Sequence, residues 1–322
     1  MKRFLKGAAL ALTLFIFLPR QVSAASLLIP VGEVIGISVE DQTVTVAAFD
    51  EGLGAEARAA GLSVGDQLLK IDKTPIRQPE DLRKALRESD GTVDLEILRD
   101  GKLRRLSLTP RITDDGPKLG VYLKQGVSGI GTVTWYDPAT GTFGALGHGV
   151  NTPAGDLVRM DRGNIYQARV ASVKKGVPGT PGQLLGSLED RDPLGELRKN
   201  TEQGIFGKSD VPWQGIPLPV AQPTEVRTGI ASILATVQGT EPQEYSVEIL
   251  RIYPAERSNG RNLLLRVIDP ALLESTGGIV QGMSGSPIIQ DGKLVGAVTH
   301  VLVNDPTTGY GIFIENMLDA AA

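Results

Sequence analysis

A serine and a histidine, each flanked by glycines, are the residues best suited to chemistry. Ser284 lies in the stretch GMSGSP at 282–287, and His148 lies in LGHGV at 146–150. A serine hydroxyl is a weak nucleophile at neutral pH, so it needs an imidazole as general base and a third group that holds the tautomer of that imidazole. The backbone N–H groups of Gly282 and Ser284 can point into one concave turn, which is the arrangement that stabilises an oxyanion. The pattern predicts acyl transfer with Ser284 as the attacking group.

Composition argues against metal-dependent and phosphate-binding chemistry. The 322 residues contain no cysteine and only two histidines, His148 and His300, which removes the thiolate clusters and histidine pairs of most zinc sites. We therefore expect no metal and no cofactor. No phosphate-binding glycine loop and no metalloprotease helix motif occurs in the chain.

The first 24 residues predict export. They begin with Lys2, Arg3 and Lys6, continue through an apolar run, and end in the small-residue pattern VSA, which is typical of a signal peptide. The apolar run is short for a membrane span. The alternative is an uncleaved short anchor that would associate the chain with the membrane. Either interpretation places the remaining chain outside the cytoplasm.

Charge argues against nucleic acid as a partner. The formal net charge is −4, and it becomes −8 without residues 1–24, which hold four basic residues and no acidic ones. An acidic surface repels phosphate backbones.

The chain is predicted to be mostly β, with two folded units. Residues 28–110 contain four alternating segments at 44–49, 66–72, 92–98 and 103–110 and one amphipathic helix at 79–89. This alternation is typical of half-buried strands. Asp100-Gly101 predicts a hairpin turn.

The stretch AAGLSVGDQLLKIDKTPI at 59–76 resembles PDZ domains. The resemblance implies a groove in which a peptide adds as a strand, with its terminal carboxylate held by the N–H groups of a glycine loop. Ile35-Gly36-Ile37 is similar to the core of that loop. The alternative is a groove that is empty or is filled by a segment of the same chain.

Residues 111–118 are predicted to be a linker, and 119–322 a second β unit, either a pair of barrels or a large sandwich. Its serine stretch is followed by a hairpin signal at Asp291-Gly292. The stretch resembles the active-serine segment of chymotrypsin-like proteases, which implies a double β-barrel peptidase domain. That resemblance places Gly278 at the floor of the substrate pocket, with Gln281 and His300 also in the substrate site.

A narrower resemblance covers nearly the whole chain. It is carried by the motifs at 146–150, 175–187 and 200–207, and above all by the block at 276–315, which together resemble the stage IV sporulation protein B (SpoIVB) peptidases. The resemblance implies an exported serine endopeptidase between the forespore and mother-cell membranes. Such a peptidase cleaves itself and a membrane-bound inhibitor of a metalloprotease, and thereby triggers maturation of a late sigma factor.

The same resemblance implies a triad of His148, Ser284 and Asp269. Asp269 lies only 15 residues before Ser284, whereas the acid of a chymotrypsin-like protease lies between histidine and serine and far from the serine. Asp190 and Asp192 are therefore rivals for the role. Asp269 has a structural alternative as well, because an aspartate before a short helical turn can cap it.

A function of a different class also fits. The chain could be a secreted binding or scaffold protein with an inactive peptidase barrel and a PDZ-like groove that binds a peptide or C-terminus. The presence of both His148 and Ser284 in glycine-flanked turns favours the enzyme.

Overall fold

The computed structural model describes residues 27–152, 155–256 and 260–322. The predicted signal peptide or anchor at 1–24 lies outside this part of the chain. Across the described ranges, no helix is both long and apolar enough to cross a membrane.

The N-terminal part contains strands of the predicted type and two helices. They are β1 (Leu27–Pro30), β2 (Val34–Phe49), α1 (Ala55–Ala59), β3 (Gln67–Ile71), β4 (Thr74–Pro75), α2 (Pro79–Glu88), β5 (Val93–Arg99), β6 (Lys102–Leu108), β7 (Arg111–Thr113) and β8 (Gly116–Lys118). The four predicted strands and the predicted helix are all present. Helix α2 begins after Gln78 in a capping box, with Pro79 at its first position, and both features favour a helix start.

The PDZ-like unit has its own core, to which β2, β3, β5 and α2 contribute side chains. A buried ion pair stabilises the turn before β3: Arg99 donates to Asp66, whose other oxygen accepts the N–H of Ser63 at 2.8 Å. Asp66 has no exposed surface, so this pair satisfies a carboxylate that would otherwise be costly to bury.

Six further strands and loops follow the hairpin β7–β8. The strands are β9 (Val121–Asp137), β10 (Thr142–Ala145), β11 (Arg162–Lys174), β12 (Gln183–Thr201), β13 (Gly204–Ser209) and β14 (Leu218–Pro219). Strands β9, β10, β13, β12, β11 and β2 form a closed ring, because β2 pairs with both β9 and β11. This ring is the first barrel of the peptidase unit.

The second barrel follows a 3-10 turn at Pro223–Glu225. It consists of β15 (Gly229–Ala235), β16 (Gln243–Ile252), β17 (Leu263–Val267), β18 (Pro287–Gln290), β19 (Lys293–Leu302) and β20 (Asp305–Phe313), closed by pairing of β15 with β18. Helices α3 (Pro270–Thr276) and α4 (Ile314–Ala321) flank its strands. The fold is therefore mostly β, with a PDZ-like domain before a double β-barrel, and the predicted fold class is confirmed.

The boundary between the units differs from the predicted one. Strand β1 and the first half of β2 belong to the first barrel, where Ile29 and Val39 pack in its core. The predicted linker at 111–118 is the hairpin β7–β8, and Leu119 after it packs in the PDZ-like core. Both units therefore share β2 and β9, which pair along almost their whole length.

The sharing of β2 overturns the predicted peptide-binding loop at Ile35, Gly36 and Ile37. These residues lie in the middle of β2, with Gly36 paired to Ile130 on one side and to Tyr166 on the other. Ile35 and Ile37 are 1% and 5% exposed in the core of the first barrel. A backbone with strand partners on both edges cannot also accept a peptide as a strand.

Candidate active site

The two residues singled out for chemistry line one cavity. His148, on the loop after β10, and Ser284, on the turn before β18, border a cavity of about 510 Å³ between the two barrels, together with Gly282, Gln281 and His300. The fold therefore brings both residues to the same cavity. In this structure the Ser284 hydroxyl donates to the Thr299 carbonyl at 2.9 Å.

The turn around Ser284 is tightly hydrogen-bonded. Each carbonyl from residue 281 to residue 285 accepts a hydrogen bond, from Leu184 N, Thr132 Oγ1, Ser286 N, Thr132 N and Thr134 Oγ1 in that order. The N–H groups of 281, 283 and 285 donate to other carbonyls. Within the described residues, the N–H groups of Gly282 and Ser284 have no acceptor.

These two free N–H groups are the ones predicted to bind an oxyanion. In a trans peptide the N–H points away from its carbonyl, so the bonds at carbonyls 281 and 283 fix the directions of the N–H groups of Gly282 and Ser284. Gly282 has a φ of +102°, a conformation that other residues rarely adopt. Two unpaired N–H groups on a backbone of fixed orientation are what oxyanion binding requires.

His148 is held by its own loop. Its Nδ1 lies 2.9 Å from the carbonyl oxygen of Gly149, a contact that favours the tautomer with the proton on Nδ1 and a free lone pair on Nε2. The preceding Gly147 has a φ of +69°, and a side chain there would meet Thr299 Cγ2 at 2.8 Å. Only glycine permits this close approach of the histidine loop to the second barrel.

Burial keeps both imidazoles neutral at pH 7. Burial lowers the pKa of His148 below its usual 6.5, and the contact with the Gly149 carbonyl offsets part of this effect. The pKa of His300 is lowered to about 4, mainly by burial and in smaller part by the positive charges that a protonated His148 and Arg261 carry. The two rings lie 5.4 Å apart. A neutral imidazole can accept the proton of a serine hydroxyl.

Comparison with known families decides what this site belongs to. The sequence model described as SpoIVB peptidase S55 matches residues 116–318, and that of the PDZ domain matches residues 34–109. The chain belongs to the SpoIVB peptidase S55 family. It is a serine peptidase with an N-terminal PDZ domain, and the family and the order of units predicted from the sequence are confirmed.

Other relatives are more distant. A putative zinc metalloprotease of Rhizobium meliloti is 30% identical over 168 residues, which cover 48% of this chain and 42% of that protein. The PDZ domain of an SdrC-like protein from Listeria monocytogenes is 20% identical, with coverage of 26% of this chain and 87% of that structure and a TM-score of 0.22. The HtrA-type protease AlgW with decapeptide is 13% identical, with coverage of 65% and 57% and a TM-score of 0.36.

Asp269 is not placed against His148 in this SpoIVB-family peptidase. It is the N-cap of α3, where Oδ1 accepts the N–H groups of Ala271 and Leu272, and Oδ2 accepts that of Ser246 at 3.3 Å. The position facing His148 Nδ1 is taken by the Gly149 carbonyl instead. The structure therefore supports the capping role that the sequence offered as the alternative.

Substitution of Asp269 separates capping from catalysis. We expect Asp269→Ala to lower the free energy of unfolding by about 1 kcal/mol and Asp269→Asn to lower it far less, because asparagine is also a strong N-cap. Urea denaturation measures both values. Peptidase assays on the same proteins test the family role: loss of activity in the stably folded Asn variant would show that the negative charge itself takes part in catalysis.

The rival acids do not reach the site either. Asp190 and Asp192 are exposed in β12, and Asp190 Oδ1 accepts the N–H groups of Arg191 and Asp192. No carboxylate of the described residues therefore contacts His148. The hydrogen-bond partner of His148 Nδ1 in the described structure is the Gly149 carbonyl oxygen.

The predicted substrate-pocket residues divide into two groups. Gln281 and His300 line the cavity, but Gly278 does not. A side chain at Gly278 would lie 2.1 Å from the Pro306 carbonyl oxygen, so this residue is packed against the start of β20 rather than at a pocket floor. His300 Nδ1 is buried with no hydrogen-bond partner in the described part of the chain.

One supporting residue was missed by the sequence analysis. Asn200 accepts the N–H of Val150 and donates to the carbonyls of Val150 and Val158. It thereby holds the loop two residues after His148. In the sequence, Asn200 is the first residue of the motif at 200–207. That motif supported the family resemblance, but no role was assigned to Asn200.

Proposed function

We propose that the protein is an exported SpoIVB-type endopeptidase in which Ser284 attacks the scissile carbonyl and His148 Nε2 accepts the hydroxyl proton. The proton then passes to the leaving amine. The N–H groups of Gly282 and Ser284 hold the oxyanion of the tetrahedral intermediate. The observation that carries this proposal is that, in a turn whose carbonyls are all bonded, these two N–H groups alone have no acceptor in the part of the chain that the structure describes.

The attack requires a small local movement. The Ser284 hydroxyl now donates to Thr299, so a rotation about its Cα–Cβ bond must redirect it to His148. Such tightening on substrate binding is common, because hydrogen bonds in free active sites are often poorly aligned.

Family membership supports a proposal for the cellular role. We assign the enzyme to sporulation signalling, in which it cleaves itself and a membrane-associated inhibitor of a metalloprotease in the space between forespore and mother-cell membranes. The leader-like residues 1–24 support export. Incubation of the purified enzyme with the extracytoplasmic part of that inhibitor, followed by mass spectrometry, tests the assignment. An inhibitor left intact by an enzyme that cleaves β-casein would contradict the assignment and leave the peptidase chemistry intact.

The PDZ unit offers a peptide site at a place different from the predicted one. A groove lies between α2 and the start of β9, and Leu119, Gly120 and Val121 line one end of it. Asp50 N donates to the Gly120 carbonyl. Because strand residues alternate, Val121 directs its backbone polar groups to the other edge, which faces α2. At residues 121–123, no strand of the described residues pairs with that edge, since β10 pairs with β9 only at 133–137.

The loop at the end of this groove can hold a carboxylate. The N–H groups of Leu119 and Gly120 have no acceptor among the described residues, and both residues are buried. Gly120 has a φ of +63°. Arg83, Arg87 and Lys118 line the groove, where Arg83 pairs with Glu80 and Lys118 pairs with Asp115. These features support capture of a peptide C-terminus as an added strand.

A peptide with a free C-terminus tests this site. We expect a hydrophobic heptapeptide, selected from a pool by its binding, to shift the amide NMR signals of residues 119–123 and of α2, and not those of residues 35–37. Amidation of its C-terminus should weaken binding at least about tenfold, because the charge-assisted hydrogen bonds to the loop are lost. Equal affinity of both forms, or shifts at residues 35–37 alone, would contradict the assignment.

A further inference from the structure

Two buried threonines of the first barrel hold the serine turn of the second. Thr132 and Thr134 lie on β9 and are 1% and 0% exposed. Thr132 Oγ1 donates to the Gly282 carbonyl at 2.8 Å, and Thr134 Oγ1 donates to the Gly285 carbonyl at 2.7 Å. The N–H of Thr132 donates to the Ser284 carbonyl at 3.0 Å. Three of the five carbonyls of this turn are therefore fixed from β9.

These bonds act together with those at carbonyls 281 and 283 to restrict where the free N–H groups point. A peptide unit is planar, so fixing its carbonyl fixes the orientation of the whole unit. Thr132 donates to the carbonyls of Gly282 and Ser284. These carbonyls belong to the peptide units directly before and after the unit that carries the N–H of Ser284. The Thr132 bonds thereby restrict the backbone dihedral angles at 283 and 284, which set the direction of that N–H. An oxyanion donor must lie within a few tenths of an ångström of its place to be effective.

Thr132 also contacts the histidine loop. Its carbonyl accepts the N–H of Leu146 at 3.2 Å, two residues before His148. A side chain at Gly285 would lie 2.0 Å from the same carbonyl oxygen, which shows how closely the turn approaches β9. The N–H, hydroxyl and carbonyl of one residue thus connect the loop of the proposed base to the turn of the proposed nucleophile.

We propose that Thr132 and Thr134 are positioning residues, which align the oxyanion-binding N–H groups with the loop of His148 across the barrel interface. The inference rests on the proposed roles of Ser284 and His148. Neither threonine borders the cavity, so both act through the turn rather than on the substrate.

Labelling by a fluorophosphonate tests the role, because its phosphoryl oxygen occupies the oxyanion site during attack by the serine. We expect Thr132→Val and Thr134→Val to lower the second-order labelling rate constant about tenfold or more, while Thr132→Ser, which keeps the hydroxyl, stays within about twofold of the wild-type enzyme. With β-casein as substrate, the loss should appear in kcat and leave KM nearly unchanged, as for an interaction that matters only in the transition state.

Thr236→Val is the matched control. Thr236 is 1% exposed and its hydroxyl donates to the Gly32 carbonyl at 3.0 Å, so its substitution also leaves a buried carbonyl without its donor. It touches neither the turn nor the histidine loop, and its labelling rate should match that of the wild type. All rates are compared at a temperature at which circular dichroism shows each variant folded.

The possible results distinguish failure of the positioning role from failure of the proposed catalytic site. A folded Thr132→Val or Thr134→Val protein that labels at the wild-type rate would overturn the positioning role, as would an equal loss in Thr236→Val or no rescue by serine. If one valine variant does not fold, the other carries the same test. Absence of labelling in the wild-type enzyme, or equal labelling of Ser284→Ala, would instead refute the proposed catalytic site.

Discussion

Ser284→Ala is expected to lower kcat for β-casein cleavage by about 10⁶-fold and to abolish fluorophosphonate labelling. The loss has this size because removal of the nucleophile leaves only the oxyanion site and substrate binding to contribute to the rate. Self-cleavage should stop as well. The measurement is product formation by gel electrophoresis and mass spectrometry, with the variant purified separately to exclude contamination by active enzyme.

Ser286→Ala is the matched control for that substitution. Ser286 lies two residues away in the same turn, is fully buried, and has a hydroxyl with no hydrogen-bond partner in the described ranges. Removing an unpaired buried hydroxyl costs little or stabilises the fold. We therefore expect normal cleavage and labelling in Ser286→Ala. Loss of activity in Ser286→Ala with retention in Ser284→Ala would reverse the assignment of the nucleophile.

The strands and turns of both units were largely predictable because their signals are local. Alternation of apolar residues located the strands, and Asp100 and Asp291, each before a glycine, adopt the positive φ that such hairpin turns need. The Asp269-Pro270 pair carried the signal of a helix start. Here the capping interpretation agrees with the structure, and the role implied by family resemblance has no geometric support.

The location of the peptide groove was not predictable in this way. An apolar-Gly-apolar sequence suits a carboxylate-binding loop, but it equally suits a buried strand. In the fold Gly36 makes room for the Leu188 side chain, whose Cδ2 atom lies 2.2 Å from where a Cβ would be. Whether such a sequence forms a carboxylate-binding loop or a buried strand depends on pairing between residues almost 100 positions apart, such as Val34 with Thr132. Local patterns contain no information on such pairing.

The residues that donate hydrogen bonds to the serine turn could not be predicted from local patterns either. The segment Thr132-Val133-Thr134 predicts that both threonines lie on one face of a strand. It does not show that this face meets the other barrel, nor that the two hydroxyls reach carbonyls 150 residues later in the sequence. The catalytic pair could be named from its glycine-flanked motifs, whereas its supports depend on how the barrels meet.

His148→Gln is expected to lower kcat nearly as much as Ser284→Ala, because nucleophile and base act as one unit. The double variant should lose little more than either single one. His148, rather than His300, is expected to be the base because the Gly149 carbonyl fixes its tautomer, while His300 Nδ1 has no partner among the described residues. An inactive His300→Gln beside an active His148→Gln would contradict this choice.

The pH dependence of the wild-type enzyme gives an independent measure of the same base. Burial lowers the pKa of His148 below 6.5, and the base works only when neutral. As the pH falls, kcat/KM should therefore persist through 6.5 and decline only as the pH reaches the lowered pKa. An acid limb centred above pH 6.5 would show that the base is not a buried imidazole of this kind.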